Sequence, residues 1–185
     1  MGKIVPIKAL AKIISKSKIK GKKVVLCHGV FDLLHVGHIN HFHEAKSYGD
    51  ILIVTVTPDQ YVNKGPNRPA FKEEDRLKAL AALNVVDYIA LNKSATAVSA
   101  IKELKPIIYC KGQDYQFNQN DVSGEIKNEI NAVKKIGGKI IYTKGNIFSS
   151  SNLINKFSQI CSAEQKIEIN KIKKKYSFLK IKKLF

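Results

Sequence analysis

Residues 24–38 read VVLCHGVFDLLHVGH, and the order of residue types in them decides the fold. VVLC is a short, unbroken apolar run, the pattern of a strand covered on both faces. A polar loop through HGVFD follows. After it comes a helical stretch from about His35 to Tyr48, which Gly49 stops. A buried strand running straight into a helix opens an alternating α/β chain. The same stretch poses a chemical question, because all five histidines of the 185 residues fall between His28 and His43.

Outward from this start the alternation continues. ILIVTV (51–56), VVDYIAL (85–91), IIYC (107–110) and KIIYT (139–143) are further apolar runs of strand length. Helical patterns over 73–83, 95–104 and 124–136 separate them. Five strands alternating with helices imply an α/β fold, a Rossmann-like doubly wound five-stranded parallel sheet. Ile7, Leu10, Ala11 and Ile14 share one face of an amphipathic helix within residues 1–21. Beyond the body at 22–161, Ile169, Ile172, Tyr176 and Leu179 mark a basic C-terminal helix or tail over 162–185.

Charge follows this division. Residues 1–23 hold eight lysines and no acid, and residues 162–185 hold eight lysines against Glu164 and Glu168. The two ends therefore account for 14 of the 17 formal positive charges. Only Arg68 and Arg76 are arginine among 32 cations, a composition poorly suited to reading bases. One reading is a basic RNA- or membrane-binding module with a non-catalytic nucleotide pocket. The other is solvated end helices on an enzyme. No apolar run is long enough to span a bilayer, and lysines interrupt the N-terminal region where a signal peptide needs an apolar core. Cys27 and Cys110 lie in apolar runs and read as buried, reduced thiols. The expectation is a cytoplasmic protein.

In an open parallel sheet, ligands bind beyond the carboxyl ends of the strands where the strand order reverses. The unusual loops HGVFDLLHVGH, TPDQYVNKG, KGQDY and FSSS all fall on that edge. His35-Val36-Gly37-His38 puts two imidazoles one turn apart at a helix start. Unpaired amides and the helix dipole favour phosphate there, and Gly37 lets a phosphate come close. Zinc is the competing use of clustered histidines, but HExxH and CxxC spacings are absent. No metal ligands are assigned.

GVFDLLHVGH resembles the GxFDxxHxGH signature of the cytidylyltransferase-like nucleotidyltransferases. The resemblance continues through the second-loop KG, EEDR, KGQDY and FSSSNLI, over roughly residues 22–160. NRPAF and KGQDY look most like the adenylyltransferase domain of heptose 1-phosphate activation, with glycerol-3-phosphate cytidylyltransferase next. The resemblance implies that His35 and His38 contact the triphosphate and stabilise the α-phosphorus during transfer, and that Lys64 reaches the triphosphate. Val30 and Phe31 would offer backbone amides. Lys111, Gly112 and Asp114 would hold base or ribose, and Ser149, Ser150 and Ser151 phosphate. Arg76 would contact phosphates, or else pair with Glu73 along its helix. Asp32, Asp59 and Arg68 would face the acceptor, although Asp32 could instead orient a histidine or simply turn its loop. The last serines could equally cap a helix. His28 follows the first strand and could line the pocket, while His41 and His43 read as packing or surface residues. The family's arginine and glycine upstream of the serines are Lys144 and Ile147 here, which leaves ATP or CTP open.

The implied reaction moves a nucleoside monophosphate from an NTP to a phosphorylated sugar or polyol, with Mg²⁺ carried by the NTP. A homodimer is the implied assembly. The chain has no room for a sugar kinase, so that step is expected on a separate protein.

Overall fold

A computed structural model describes residues 1–64, 68–115 and 125–144. Of the two compact units in the chain, Met1–Phe148 and Ser149–Phe185, the described residues belong to the first. The expected helix near Ser150, the tail over 162–185, and Ser149, Ser150 and Ser151 lie outside the described residues.

Among the described residues there are six strands and five α-helices. They run β1 (Lys3–Ile4), α1 (Ile7–Ile19), β2 (Val24–Gly29), α2 (Val36–Ser47), β3 (Ile51–Val56) and α3 (Glu73–Ala81). Then come β4 (Tyr88–Leu91), α4 (Val98–Leu104), β5 (Ile108–Gly112), α5 (Ile126–Lys135) and β6 (Lys139–Thr143). All strand pairs are parallel, in the order β1-β4-β3-β2-β5-β6. The order reverses between β2 and β5, so the loops leaving those strands part and open a crevice.

Alternation along each strand builds two cores. Val24 and Leu26 of β2, with Ile51 and Ile53 of β3, face Ile7, Leu10 and Ile14 of α1 and Ile101 and Leu104 of α4. Val25 and Cys27, with Leu52, Val54 and Val56, face Phe42 and Ala45 of α2 and Leu77 and Leu80 of α3. Burial on both sides explains why these strands read as continuous apolar runs. Cys27 and Cys110 are free and buried, and they stand in register on β2 and β5.

One correction concerns the sheet. It has a sixth strand, β1, which pairs Lys3 with Tyr88 and Ile4 with Ile89 at the edge. Two residues carry no periodicity, so nothing in the local pattern separates them from the helix that follows. Their pairing depends on a close backbone approach at Gly2, whose amide donates to Ala81 O at 2.8 Å. A Cβ there would stand 2.6 Å from Ile89 Cδ1 and 2.7 Å from Val86 O. The N-terminal helix accordingly begins only at Ile7.

Candidate active site

The crevice is built first by the backbone after β2. Phe31 takes a left-handed conformation with φ 49°, which tucks its ring inward. The ring lies edge-on to His38 at 5.4 Å between centroids and tilted on Phe42 at 5.2 Å. Gly29 leaves room for it, since a Cβ at that position would meet the Phe31 ring at 3.0 Å. The chain then enters α2 with His35 as its N-cap residue. The carbonyl of His35 accepts from the amides of His38 (2.9 Å) and Ile39 (3.2 Å), leaving the earlier amides of the first turn, Gly37 among them, outside the helical ladder.

This geometry stacks the two imidazoles. The rings of His35 and His38 lie 3.8 Å apart between centroids and 23° from parallel. Burial first, then the nearby positive charge of Lys64, lowers the His35 pKa. His38 is pushed down to about 3 by burial first, with His35, His41 and Lys64 adding to it and a backbone contact at Leu33 opposing. Both rings are therefore neutral near pH 7, and each has one N–H to donate. His38 Nδ1 is buried and has no hydrogen-bond partner among the described residues, which is the mark of a place that receives a ligand. Lys64, exposed in the loop after β3, supplies a point charge beside the pair.

The other expected ligands fare differently. Asp32 is buried, and its carboxylate faces the following loop: Oδ2 accepts from Arg68 Nε (2.7 Å) and the Ala70 amide (3.0 Å), and Oδ1 from the Phe71 amide (3.0 Å). Burial pushes the Asp32 pKa up, but these two amides and the Arg68 charge outweigh it and lower the value. Asp32 thus fastens the Arg68–Phe71 stretch against the end of β2. Arg68 retains one buried nitrogen, Nη2, without a partner among the described residues.

Arg76 requires a correction. Its guanidinium is wholly buried and donates to Val30 O (2.5 Å), Phe71 O (3.1 Å), Thr57 O (2.9 Å) and Asp59 Oδ1 (2.6 Å). It ties together the loops carrying Val30, Thr57 and Phe71, and among the described residues its ion pair is with Asp59 rather than Glu73. Asp59, expected at the acceptor, is committed to the same brace. It also trades bonds with Glu73, whose amide donates to Asp59 Oδ2 while the Asp59 amide donates to Glu73 Oε2.

Lys111 is corrected in the same way. Its side chain is buried and meets Glu129 Oε2 at 3.1 Å, whereas the expectation placed it on base or ribose. Gly112 ends β5, and Asp114 lies in the short turn Gln113–Tyr115 at the crevice edge. Sequence reasoning missed Glu129 altogether, because an acid in a helix between lysines reads as solvated. It also gave no role to Glu44, whose carboxylate accepts from the Lys144 amide at 2.9 Å.

The remaining histidines are structural. Nδ1 of His28 lies 3.0 Å from Thr55 Oγ1 and its Nε2 lies 3.3 Å from Thr57 Oγ1, so the buried ring bridges the ends of β2 and β3. His41 Nδ1 meets Thr143 Oγ1 at 2.8 Å and joins α2 to β6, whereas His43 is exposed. Burial foremost, then Lys111, pushes His28 down to about 4 against the opposing pull of Glu129. Burial pushes His41 to about 4, with Glu44 opposing.

A stability prediction follows from these values. The unfolded rings titrate near 6.5, whereas His28, His38 and His41 stay neutral until about 4 or below in the folded chain. Between those limits the unfolded chain binds more protons, so stability falls as pH drops. The slope is at most about 1.4 kcal/mol per pH unit for each ring. Urea unfolding at pH 7 and pH 5, where carboxylates contribute little, should differ by a few kcal/mol. Equal midpoints would contradict the buried neutral state.

Comparisons with known proteins identify the family. The family model described as cytidylyltransferase-like matches residues 26–157. The chain is 39% identical over 132 residues to the bifunctional protein HldE of Aliarcobacter butzleri, covering 70% of this chain and 28% of that protein. It is 38% identical over 157 residues to the HldE of Geobacter metallireducens, covering 83% and 31%. The chain thus spans about three tenths of the length of these relatives. Among solved structures, a lipopolysaccharide core biosynthesis protein from Thermoplasma volcanium superposes with TM-score 0.56 at 32% identity, over 69% of this chain and all of that one. A pantoate-beta-alanine ligase from Francisella tularensis, at 19% identity and TM-score 0.57, shares the fold over 92% of this chain and 86% of its own. No helix among the described residues is long and apolar enough to cross a membrane. With the family model and the paired imidazoles at the reversal of the sheet in agreement, the chain belongs to the cytidylyltransferase-like nucleotidyltransferases.

Proposed function

We propose that the chain transfers a nucleoside monophosphate from an NTP to a phosphorylated sugar, with heptose 1-phosphate as acceptor and ATP as donor. The observation that carries the transfer step is the stacked, neutral His35–His38 pair at a helix start, with a buried ring nitrogen left for a ligand. An acceptor phosphate oxygen attacks the α-phosphorus, the bond from that phosphorus to the bridging oxygen breaks, and pyrophosphate leaves. The imidazole N–H groups and the first-turn amides stabilise charge on the α-phosphate, while Lys64 meets the outer phosphates. Transfer is direct in this reading: among the described residues no activated nucleophile stands beside the histidines. The identity with HldE proteins, together with NRPAF and KGQDY, supports the heptose acceptor.

The nitrogen donors at the site suit phosphate and are poor ligands for Mg²⁺, which prefers oxygen. Among the described residues no three His, Cys, Asp or Glu side chains gather into a metal site. In this reading Mg²⁺ would enter on the triphosphate and would neutralise phosphate charge there. A homodimer and a sugar kinase elsewhere on the pathway, whether on this protein or another, complete the proposal.

Pyrophosphate release measured with four NTPs against a panel of sugar and polyol phosphates tests it. Turnover should be highest with ATP and an aldose 1-phosphate of the heptose type. A preference for CTP with glycerol 3-phosphate would replace the acceptor and base while keeping the chemistry. No release with any pair, joined to RNA or anionic vesicle binding that weakens steeply with salt, would favour the binding-module reading.

A further inference from the structure

Beneath the turn that follows β5 lies a buried charge that the proposed transfer chemistry does not use. Glu129 sits on the inward face of α5 and is only 3% exposed. Its carboxylate collects donors from three places. The Ala97 amide before α4 donates to Oε1 at 2.9 Å, Tyr109 Oη donates to Oε2 at 2.8 Å, and Lys111 Nζ stands 3.1 Å from Oε2. Burial pushes the carboxyl pKa up, but Lys111, the Ala97 amide, His28 and the Tyr109 hydroxyl outweigh it and hold the group ionised.

An ion pair taken this far from water is a poor source of stability, and an apolar pair would hold α5 to β5 as well. What the carboxylate does that a leucine cannot is fix the Lys111 ammonium at one point. From that point Nζ lies 4.4 Å from the centroid of the Tyr115 ring, a cation–π contact, and 5.7 Å from that of Tyr109. Tyr115 closes the turn Gln113–Tyr115 that carries Asp114 along the crevice. A chain of contacts therefore runs from α5 through Lys111 to the turn.

We infer that Glu129 is a positioning residue for the nucleotide: through Lys111 it sets the seat of Tyr115, and with it the Gly112–Tyr115 turn. It governs nucleotide affinity and leaves the transfer step to the histidines. The inference rests on the proposed NTP site.

The test uses the whole chain, with calorimetric binding of the α,β-methylene analogues of the four NTPs, alongside kcat, KM and thermal unfolding. Glu129→Gln should weaken binding of the preferred analogue about tenfold and leave kcat at saturation within about twofold. The double variant Glu129→Gln/Lys111→Met removes both charges. It should recover thermal stability yet still bind weakly, because the seat under Tyr115 is gone. Tyr115→Leu should reproduce the weakening, and adding Glu129→Gln to it should change nothing further. Tyr115→Phe keeps the ring and should bind as wild type does.

Wild-type affinity in the double variant would reduce the pair to a structural element and overturn the inference. So would additive effects of Glu129→Gln and Tyr115→Leu, or a loss of kcat at unchanged affinity. If the wild-type chain bound none of the analogues, the reading of the site would fail first and this inference with it.

Discussion

Alanine at His38, or at His35, should lower kcat by about a hundredfold or more, the usual loss when one preorganised donor to a developing oxyanion is removed. The expectation comes from where the rings stand and what state they are in. Stacked 3.8 Å apart at the start of α2, they present neutral N–H groups to the place where the α-phosphate would sit. The charge on its oxygens grows as the incoming oxygen approaches, so the donors matter more in the transition state than in the bound substrate. The loss should therefore appear in kcat and much less in nucleotide affinity. Thermal unfolding of each variant separates this loss from a loss of folding, since at His38 the substitution removes one ring contact with the Leu33 backbone. The exposed His43 provides the internal control, and His43→Ala should leave turnover unchanged. Near-wild-type turnover in both His35→Ala and His38→Ala would refute the assignment.

Arg76→Met should be the most destabilising single change, at about 3 kcal/mol or more. The guanidinium is wholly buried and satisfies three carbonyls and the Asp59 carboxylate. Methionine fills the channel but strands all four acceptors, and the loops carrying Val30, Thr57 and Phe71 lose their common anchor. Lysine should not rescue it, since one ammonium cannot reach acceptors arranged around a planar fork. At about 2–4 °C per kcal/mol for a chain of this size, the melting temperature should fall by roughly 10 °C. A side chain that contacted phosphate would behave in the opposite way, with stability kept and NTP affinity lost. A melting temperature within about 2 °C of wild type, with weakened nucleotide binding, would return Arg76 to the ligand edge.

These two sites mark how far the residues alone could be read. The central strands were legible because burial on both faces makes them continuous apolar runs, and the helices between them keep a period. The juxtaposition of His35 and His38 was legible because it is local: strand, turn, glycine and helix start lie within fifteen residues. The inward partners of Arg76 and Lys111 were hidden for the opposite reason. A sequence displays a cation but not its direction, and the partners that turn these two inward, Asp59 and Glu129, sit on other elements. The edge strand Lys3–Ile4 was invisible because its pairing is decided by the distant β4 and by the bare backbone at Gly2. His41 gave the same kind of difficulty. Nothing near it in sequence announces its bond to Thr143.

The central claim is that the two imidazoles hold the reacting phosphate. A crystal structure of the chain with Mg²⁺ and the α,β-methylene analogue of the preferred NTP measures it directly. The account predicts α-phosphate oxygens within hydrogen-bond distance of ring nitrogens of both His35 and His38, with Lys64 drawn toward the β- and γ-phosphates. A triphosphate seated elsewhere on the sheet edge, with both rings left unengaged, would contradict it.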